Sequence, residues 1–232
     1  SHLPSCVFFI LFFLFFLSIR RPPRSTLFPY PTLFRSDLKK HAADDRTPFQ
    51  KREYILLAHE TTRRIWNVPK PIIAAINGPA RGAGAEMAIN CDFVLMADAA
   101  SIGFPETSLG TFIGGGVTFH LTRLLGPVRA KELVYTGRIL DGPTAACLGL
   151  ALASHPLEHL MDEALALAGA LASKAPISLA FAKEQLQKGL NRDLDTAIML
   201  EAEAILACMA TEDWREGIDA FAQKRQPVYK GR

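Results

Sequence analysis

With 232 residues, the chain is long enough to bury one large core, and length alone does not require two domains. The formal net charge is +3, but residues 1–36 hold four arginines and no acid, so the remainder carries 22 basic and 23 acidic residues. This balance excludes a broadly basic nucleic-acid-binding surface. Four scattered cysteines without a CxxC pair argue against a zinc site or a disulfide framework and favour a reducing, cytoplasmic location.

Residues 1–36 differ in composition from the rest of the chain. They contain no Gly, Ala, Asp or Glu, but eight of the fifteen Phe. The apolar run over residues 7–17 is shorter than the roughly 20 residues of a membrane span. Its positive charges, Arg20 and Arg21, follow the run instead of preceding it as in a signal peptide. Residues 20–36 also resemble translated sequencing-adapter read-through, so we interpret residues 1–36 as a non-native or disordered leader and predict no membrane attachment.

After the leader, the pattern predicts an α/β region followed by helices. Apolar residues at helical spacing predict an amphipathic helix over 49–67. The apolar runs 72–76 (IIAAI) and 93–97 (FVLMA) predict buried strands, and a glycine turn with a short helix over 82–89 connects them into a crossover unit. Further helices are predicted near 116–125, 128–136, 143–149, 157–173, 177–190, 193–209 and 212–224.

The predicted organisation therefore has three parts: the leader, an α/β core over 37–150 and a C-terminal helical region over 151–232. The helices of the last region are amphipathic. Such helices need a surface to pack against, which is either their own core or a neighbouring subunit.

The segment 81–86 (RGAGAE) follows an Asn-Gly-Pro turn and begins a predicted helix. Glycines let a ligand approach the backbone closely, and the first N–H groups of a helix have no intrahelical acceptor. Such donors can hold the negative charge that develops on a carbonyl oxygen. The alternative is a tight turn with close helix packing. Glu86 falls in the first helical turn, where the helix dipole favours a carboxylate with or without a chemical role.

Glu106 lies in a predicted loop over 101–110 (SIGFPETSLG), among apolar neighbours. Two carboxylates near one oxyanion site would suit proton transfer to and from carbon and oxygen. The alternative for Glu106 is a solvated acid on a surface loop.

Several segments resemble successive motifs of the enoyl-CoA hydratase/isomerase (crotonase) family, in the same order and at similar spacing. They are 71–88 (PIIAAINGPARGAGAEMA), 91–92 (CD), 104–110 (FPETSLG), 121–126 (LTRLLG) and 215–231 (REGIDAFAQKRQPVYKG). The resemblance implies an α/β fold built as a spiral of ββα units, with a C-terminal helical region that assembles a homotrimer or a dimer of trimers. It also implies an acyl-CoA thioester as substrate, with coenzyme A as part of that substrate, no separate cofactor and no metal.

By the same resemblance the expected activity is that of a lyase of fatty acid metabolism, which adds water to a 2-enoyl-CoA. Two backbone N–H groups, by motif position those of Ala83 and Ser36, would hold the thioester oxygen. Glu86 and Glu106 would act as acid and base. Most family members have Gly where this chain has Ala83, a small departure because the donor is backbone.

The second donor stands at the junction with the leader. Of the family's Ala-Gly-x-Asp motif only Asp37, Leu38 and Lys39 remain. We therefore expect the N-terminal part of the α/β core to be incomplete and the hydratase activity to be reduced or lost.

Other contacts with the substrate carry over more loosely. They are Lys39 near the CoA phosphates, Gly82, Gly114 and Gly115 along the substrate, and Phe221 and Lys224 on the last helix, reaching CoA across a subunit boundary. Each has an ordinary alternative: a solvated lysine, a core aromatic residue or a flexible helix entry. His120 is interpreted as structural, since a lone histidine on a helix is more often structural than catalytic.

Two alternatives to a hydratase remain open. The family scaffold hosts several reactions, so the chain could be an isomerase or a hydrolase acting on acyl-CoA. A catalytically inactive acyl-CoA-binding fragment is the alternative from a different functional class.

Overall fold

The computed structural model describes the backbone of residues 12–13 and all of residues 45–232. Of the predicted site residues, Ser36 and Lys39 lie outside the described residues. The strands are β1 (Phe12–Phe13), β2 (Ile73–Ile76), β3 (Pro79–Arg81), β4 (Phe93–Ala97), β5 (Ser101–Gly103), β6 (Ile139–Asp141) and β7 (Ala153–His155).

The helices in the described part of the chain match the predicted ones closely. They are α1 (Pro48–Asn67), α2 (Ala83–Ala88), α3 (Val117–Thr136), α4 (Gly142–Leu148), α5 (Leu160–Ala172), α6 (Pro176–Gly189), α7 (Leu194–Met209) and α8 (Glu212–Ala222). The two helices predicted near 116–125 and 128–136 are both present within α3, where they are separated at Gly126, whose φ of 72° and ψ of 165° are not helical. The break directly precedes Pro127, which lacks the N–H of a regular helix.

The strands form two sheets. One is parallel in the order β1-β2-β4-β7, and the other has the order β3-β5-β6, with β3 parallel and β6 antiparallel to β5. Strands β2 and β4 therefore lie in the first sheet. The strands that follow them along the chain, β3 and β5, lie in the second. The predicted buried strands and their crossover are confirmed, since β2 and β4 pair in register from Ile73 with Phe93 to Ile76 with Met96. The three-residue strands of the second sheet are not predicted from the sequence.

One strand comes from the predicted leader. Phe12 and Phe13 pair in parallel with Ala74 and Ala75 of β2. The sequence interpretation excludes this segment from the fold, so it does not predict the pairing. The leader's non-native origin stays a prediction.

The described residues divide into two compact units. One unit holds 12–13, 45–66 and 73–164, and the other holds 67–72 and 165–232. The first unit contains both sheets, and its largest fully buried side chains include Ile76, Met96, Ile102, Phe104 and Leu121. The second unit contains α6, α7 and α8, and α7 has no buried residue. The predicted boundary at residue 150 and the trimerisation role of the C-terminal helices stay predictions.

Length and hydropathy decide whether a helix in the described part of the chain could span a membrane. None of the described helices alone is both long and apolar enough to cross a bilayer, whereas α5 and α6, which meet at 107°, satisfy length and composition as a bent pair.

Candidate active site

The site is built around the turn that leads from β3 into α2. Gly82 precedes the helix with φ 54° and ψ −130°, a backbone conformation that glycine adopts without a Cβ penalty. Ala83 is the first helical residue, so its N–H is among the groups that have no acceptor within the helix. The amide N–H of Glu86 donates to the Gly82 carbonyl at 2.9 Å, which closes the first turn. The predicted position of Glu86 in this first turn is confirmed.

The Glu86 side chain is half-buried and bound by main chain. Its Oε1 accepts a hydrogen bond from the N–H of Gly114 at 2.7 Å. Burial raises the pKa of Glu86 because it penalises the ionised form, and the hydrogen bond from Gly114 opposes this by stabilising the carboxylate.

Glu106 begins a 3₁₀ turn, Glu106–Leu109, where the sequence predicted an open loop. The alternative of a solvated surface acid is wrong, because Glu106 is only 7% exposed. Its Oε2 is buried and accepts no hydrogen bond. Burial raises the pKa of Glu106, a hydrogen bond from its own backbone opposes this increase, and the negative charge of Glu86 raises the pKa further.

The two carboxyl groups both lie close to the start of α2. A Cβ placed on Gly82 would stand 3.3 Å from Oε1 of Glu106, so this carboxylate lies against the turn that presents the Ala83 amide. Glu86 extends from the same short helix. The structure thus brings Gly82, Glu86, Glu106 and Gly114 together.

The glycine loop, residues 114–116, packs directly on Glu86. A Cβ on Gly114 would lie 3.3 Å from both carboxylate oxygens of Glu86 and 3.0 Å from Nε2 of His59 on α1. A Cβ on Gly115, whose φ is 57°, would lie 2.8 Å from Cβ of Glu86 and 3.3 Å from Cγ2 of Thr62. These glycines are therefore required for close approach, which the alternative of a merely flexible helix entry does not explain. Their role along the substrate stays a prediction.

A buried polar group supports the loop from behind. Nδ2 of Asn90 donates to the carbonyls of Glu86 and Gly115, each at 2.6 Å, and its Oδ1 lies 2.9 Å from Nε2 of His120. Burial lowers the pKa of His120 to about 4, and the positive charge of Arg123 contributes to the shift.

The His120 ring is packed among aromatic side chains. It stands edge-to-face to Trp66, with ring centroids 4.7 Å apart, and to Phe119, at 5.2 Å. This packing agrees with the interpretation of His120 as a structural residue.

Sequence reasoning missed the residues that support Glu86: His59, Thr62 and Asn90. One signal was available for each group. His59 and Thr62 lie three residues apart on a predicted helix and so share a face, and Asn90 lies four residues after Glu86, just beyond the end of the predicted helix.

The remaining predicted contacts lie elsewhere in the chain. Phe221 and Lys224 belong to the other compact unit. Phe221 is 87% exposed on α8, and Lys224 follows that helix with a positive φ of 54°.

The comparison with known protein families decides the class of the protein. A family model described as enoyl-CoA hydratase/isomerase matches residues 31–232. The chain belongs to this family. Crotonyl-CoA hydratase from Syntrophomonas wolfei is 38% identical over 177 residues, which cover 76% of this chain and 68% of that protein. Short-chain-enoyl-CoA hydratase from Clostridium acetobutylicum is 35% identical over 175 residues, covering 75% and 67% respectively.

Solved structures give the same result for the fold. An enoyl-CoA hydratase from Bacillus anthracis superposes with a TM-score of 0.80 at 39% identity, covering 85% of this chain and 76% of that one. The predicted crotonase-like fold is confirmed, and with it the assignment to enoyl-CoA hydratase/isomerase-type enzymes.

Proposed function

We propose that the chain hydrates a 2-enoyl-CoA thioester. One observation carries the proposal: two carboxyl groups with raised pKa values, Glu86 and Glu106, both lie at the start of the helix whose first residue is Ala83. This combination supplies a hydrogen-bond donor for the thioester oxygen and two groups for proton transfer.

The proposed reaction begins with the thioester oxygen on the N–H of Ala83, together with the amide of Ser36, which lies outside the described residues. Both donors stabilise the negative charge that develops when the β-carbon is attacked. Water forms the new C–O bond at the β-carbon and gives up one proton. The α-carbon then receives a proton as the enolate returns to a thioester.

The environments of the two acids support different roles in this sequence. Glu86 accepts a hydrogen bond from Gly114, which favours the carboxylate that a base needs. Glu106 is buried with an unpaired Oε2 and is further disfavoured as an anion by the charge of Glu86, which favours the protonated form that an acid needs. We therefore assign Glu86 to the water and Glu106 to the α-carbon.

Hydration of crotonyl-CoA tests the proposal, because it removes the conjugated double bond and so lowers the ultraviolet absorbance. Glu86→Gln and Glu106→Gln are each expected to reduce kcat by about 100-fold or more. Glu132→Gln, which replaces a partly exposed acid paired with Arg129 and Arg138, is the matched control and should retain turnover. Full turnover in Glu106→Gln would contradict the assignment, as would absence of turnover both in this chain and in a version whose residues 1–36 are replaced by the N-terminal segment of a related hydratase.

The family description also names isomerases, and one relative, from Mycosarcoma maydis, is called an enoyl-CoA isomerase/hydratase. An isomerase moves a proton between the α- and γ-carbons and adds no water. Product analysis after incubation with a 3-enoyl-CoA separates the two reactions. A 2-enoyl-CoA product that forms faster than crotonyl-CoA is hydrated would favour isomerisation. Binding of crotonyl-CoA with neither reaction would favour the inactive acyl-CoA-binding fragment.

We further propose that the chain acts as a homotrimer or a dimer of trimers in the cytoplasm. The support comes from α7, which has no buried residue. Its large apolar side chains Met199, Ile205 and Leu206 are each 60% exposed. A face of this kind is typical of a helix that is covered by another subunit. Sedimentation of the full chain tests the assembly, and fractionation of native cells tests the location.

A further inference from the structure

The side chain of Asn90 connects three parts of the candidate site. Its Nδ2 donates to the carbonyls of Glu86 and Gly115, and its Oδ1 meets Nε2 of His120. Asn90 is 3% exposed and His120 is 8% exposed. Breaking any of these bonds would leave a buried polar group unpaired, so the arrangement strongly restrains the groups that it joins.

The two carbonyl acceptors determine how the Asn90 amide is oriented. A carbonyl oxygen can only accept, so the amide nitrogen must face Glu86 and Gly115, and Oδ1 must face His120. Oδ1 is itself an acceptor, so Nε2 of His120 must carry the hydrogen. His120 is thus the donor that completes the bonding of Asn90.

The glycine loop links this arrangement to the Glu86 carboxylate. The carbonyl of Gly115 is held by Asn90, and the neighbouring residue, Gly114, donates its N–H to Glu86 at 2.7 Å. The His120 ring also lies against the loop, because a Cβ on Gly116 would stand 3.4 Å from its Cδ2. A shift of the loop would therefore change the contact with the acid.

We infer that Asn90 and His120 are positioning residues, which hold the glycine loop so that the N–H of Gly114 stays on the Glu86 carboxylate. The effect on catalysis rests on the proposed hydratase function, whereas the effect on the loop does not. The hydrogen bond from Gly114 keeps the pKa of Glu86 lower than burial alone would leave it. Loss of Asn90 or His120 therefore changes both the position and the ionisation of this acid.

Two variants test the inference through kinetics. Asn90→Leu and His120→Leu are expected to lower kcat for crotonyl-CoA by about 10- to 100-fold, as small displacements of catalytic groups do, and to leave KM near its wild-type value. The limb of the kcat–pH profile that belongs to Glu86 should move to higher pH. Glu106 and His59 are titratable groups that lie near Glu86 on other elements, and neither residue is changed in these variants.

Matched variants separate positioning from general damage. His120→Gln should retain most of the turnover, because its amide nitrogen can replace the Nε2–H donor. Thr122→Ala removes an exposed hydroxyl two residues further along the same helix and serves as the control. Wild-type kcat and an unmoved Glu86 limb in folded Asn90→Leu and His120→Leu would overturn the inference.

A structural measurement tests the positioning role of Asn90 and His120 independently of activity. In crystal structures of the full-length variants, the distance from the Gly114 nitrogen to Oε1 of Glu86 is expected to exceed hydrogen-bonding range. Its persistence at the wild-type value would overturn the inference. This distance tests the positioning role even if the chain does not hydrate crotonyl-CoA, so the failure of the proposed function and the failure of this inference are distinguishable. If Asn90→Leu does not fold, His120→Leu provides the same comparison.

Discussion

Oε1 of Glu106 lies 3.3 Å from the point where a Cβ on Gly82 would stand, and Gly82 has a φ of 54°. A side chain at this position would strain the backbone and press on the carboxylate. We expect Gly82→Ala to lower the free energy of unfolding by about 1–3 kcal/mol and to reduce crotonyl-CoA turnover. Urea unfolding and steady-state kinetics measure the two effects.

Gly149 provides the control for this substitution, because it also has a positive φ, of 82°, but nothing within 4 Å of its Cβ position. Gly149→Ala should therefore show the backbone strain without the loss of turnover. Equal loss of activity in both variants would show that contact with Glu106 is not the cause.

The buried carboxyl of Glu106 should cost the protein stability at neutral pH. Its pKa is higher in the folded state than the ordinary 4.5, so the folded state resists ionisation. Below the ordinary pKa the group is neutral in both states, and stability is lost as the pH rises through the raised value. Glu106→Gln is expected to increase the free energy of unfolding by about 1 kcal/mol at pH 7 and by little at pH 4. Urea midpoints at both pH values check this.

The carboxyl group of Glu132 should increase stability at neutral pH, opposite to that of Glu106, and serves as the comparison. Hydrogen bonds from Arg129 and Arg138 lower its pKa, so the ionised form stabilises the folded state. Glu132→Gln should slightly lower stability at pH 7. A stability gain in this variant that matches Glu106→Gln would point to a general effect of net charge.

The buried His120 should make stability fall as the solution is acidified. Its pKa is about 4 in the folded state against an ordinary value of 6.5, so the unfolded state takes up the proton first. Stability is intact above the ordinary value and decreases as the pH falls from about 6.5 to about 4, by up to about 3 kcal/mol. The difference in unfolding free energy between wild type and His120→Gln, measured across this range, isolates the contribution. If the unfolding free energies of the two proteins change in parallel with pH, this contribution of His120 is refuted.

The amide of Ala83 can be removed without breaking α2. Proline is accepted at the first position of a helix, where its missing N–H has no intrahelical acceptor. Ala83→Pro is expected to reduce kcat by about 100- to 1000-fold, the usual effect of losing one oxyanion donor. Ala83→Gly keeps the N–H and should retain activity. Similar kcat values for the two variants, with unchanged circular dichroism, would argue against this amide as a donor.

The parts of the site that could be predicted are those with local signals. The continuous apolar run over Phe93–Ala97 gave the strand at its observed bounds, because a fully buried strand needs no alternation. The glycine turn followed by helix-forming residues placed Glu86 in the first turn of α2. The apolar neighbours of Glu106 marked it as a candidate, the family resemblance supported a catalytic role, and the structure shows that this residue is buried.

Other parts depend on contacts between distant segments. Asn90 and His120 are 30 residues apart, and no periodic pattern connects them. The strands β3, β5 and β6 have three residues each, which is too short to show the alternation that identifies a strand. These short strands form because neighbouring strands offer backbone groups for hydrogen bonding. Which segments become neighbours is determined only in the folded chain.

The glycine loop also limits how this enzyme can diversify. A Cβ on Gly114 or Gly115 would stand within 3.3 Å of Glu86 atoms, and Gly115 and Gly116 have positive φ values that other residues rarely adopt. A substitution at any of the three positions therefore strains the backbone or presses on Glu86. New substrate preferences are expected to arise more readily through changes on other segments.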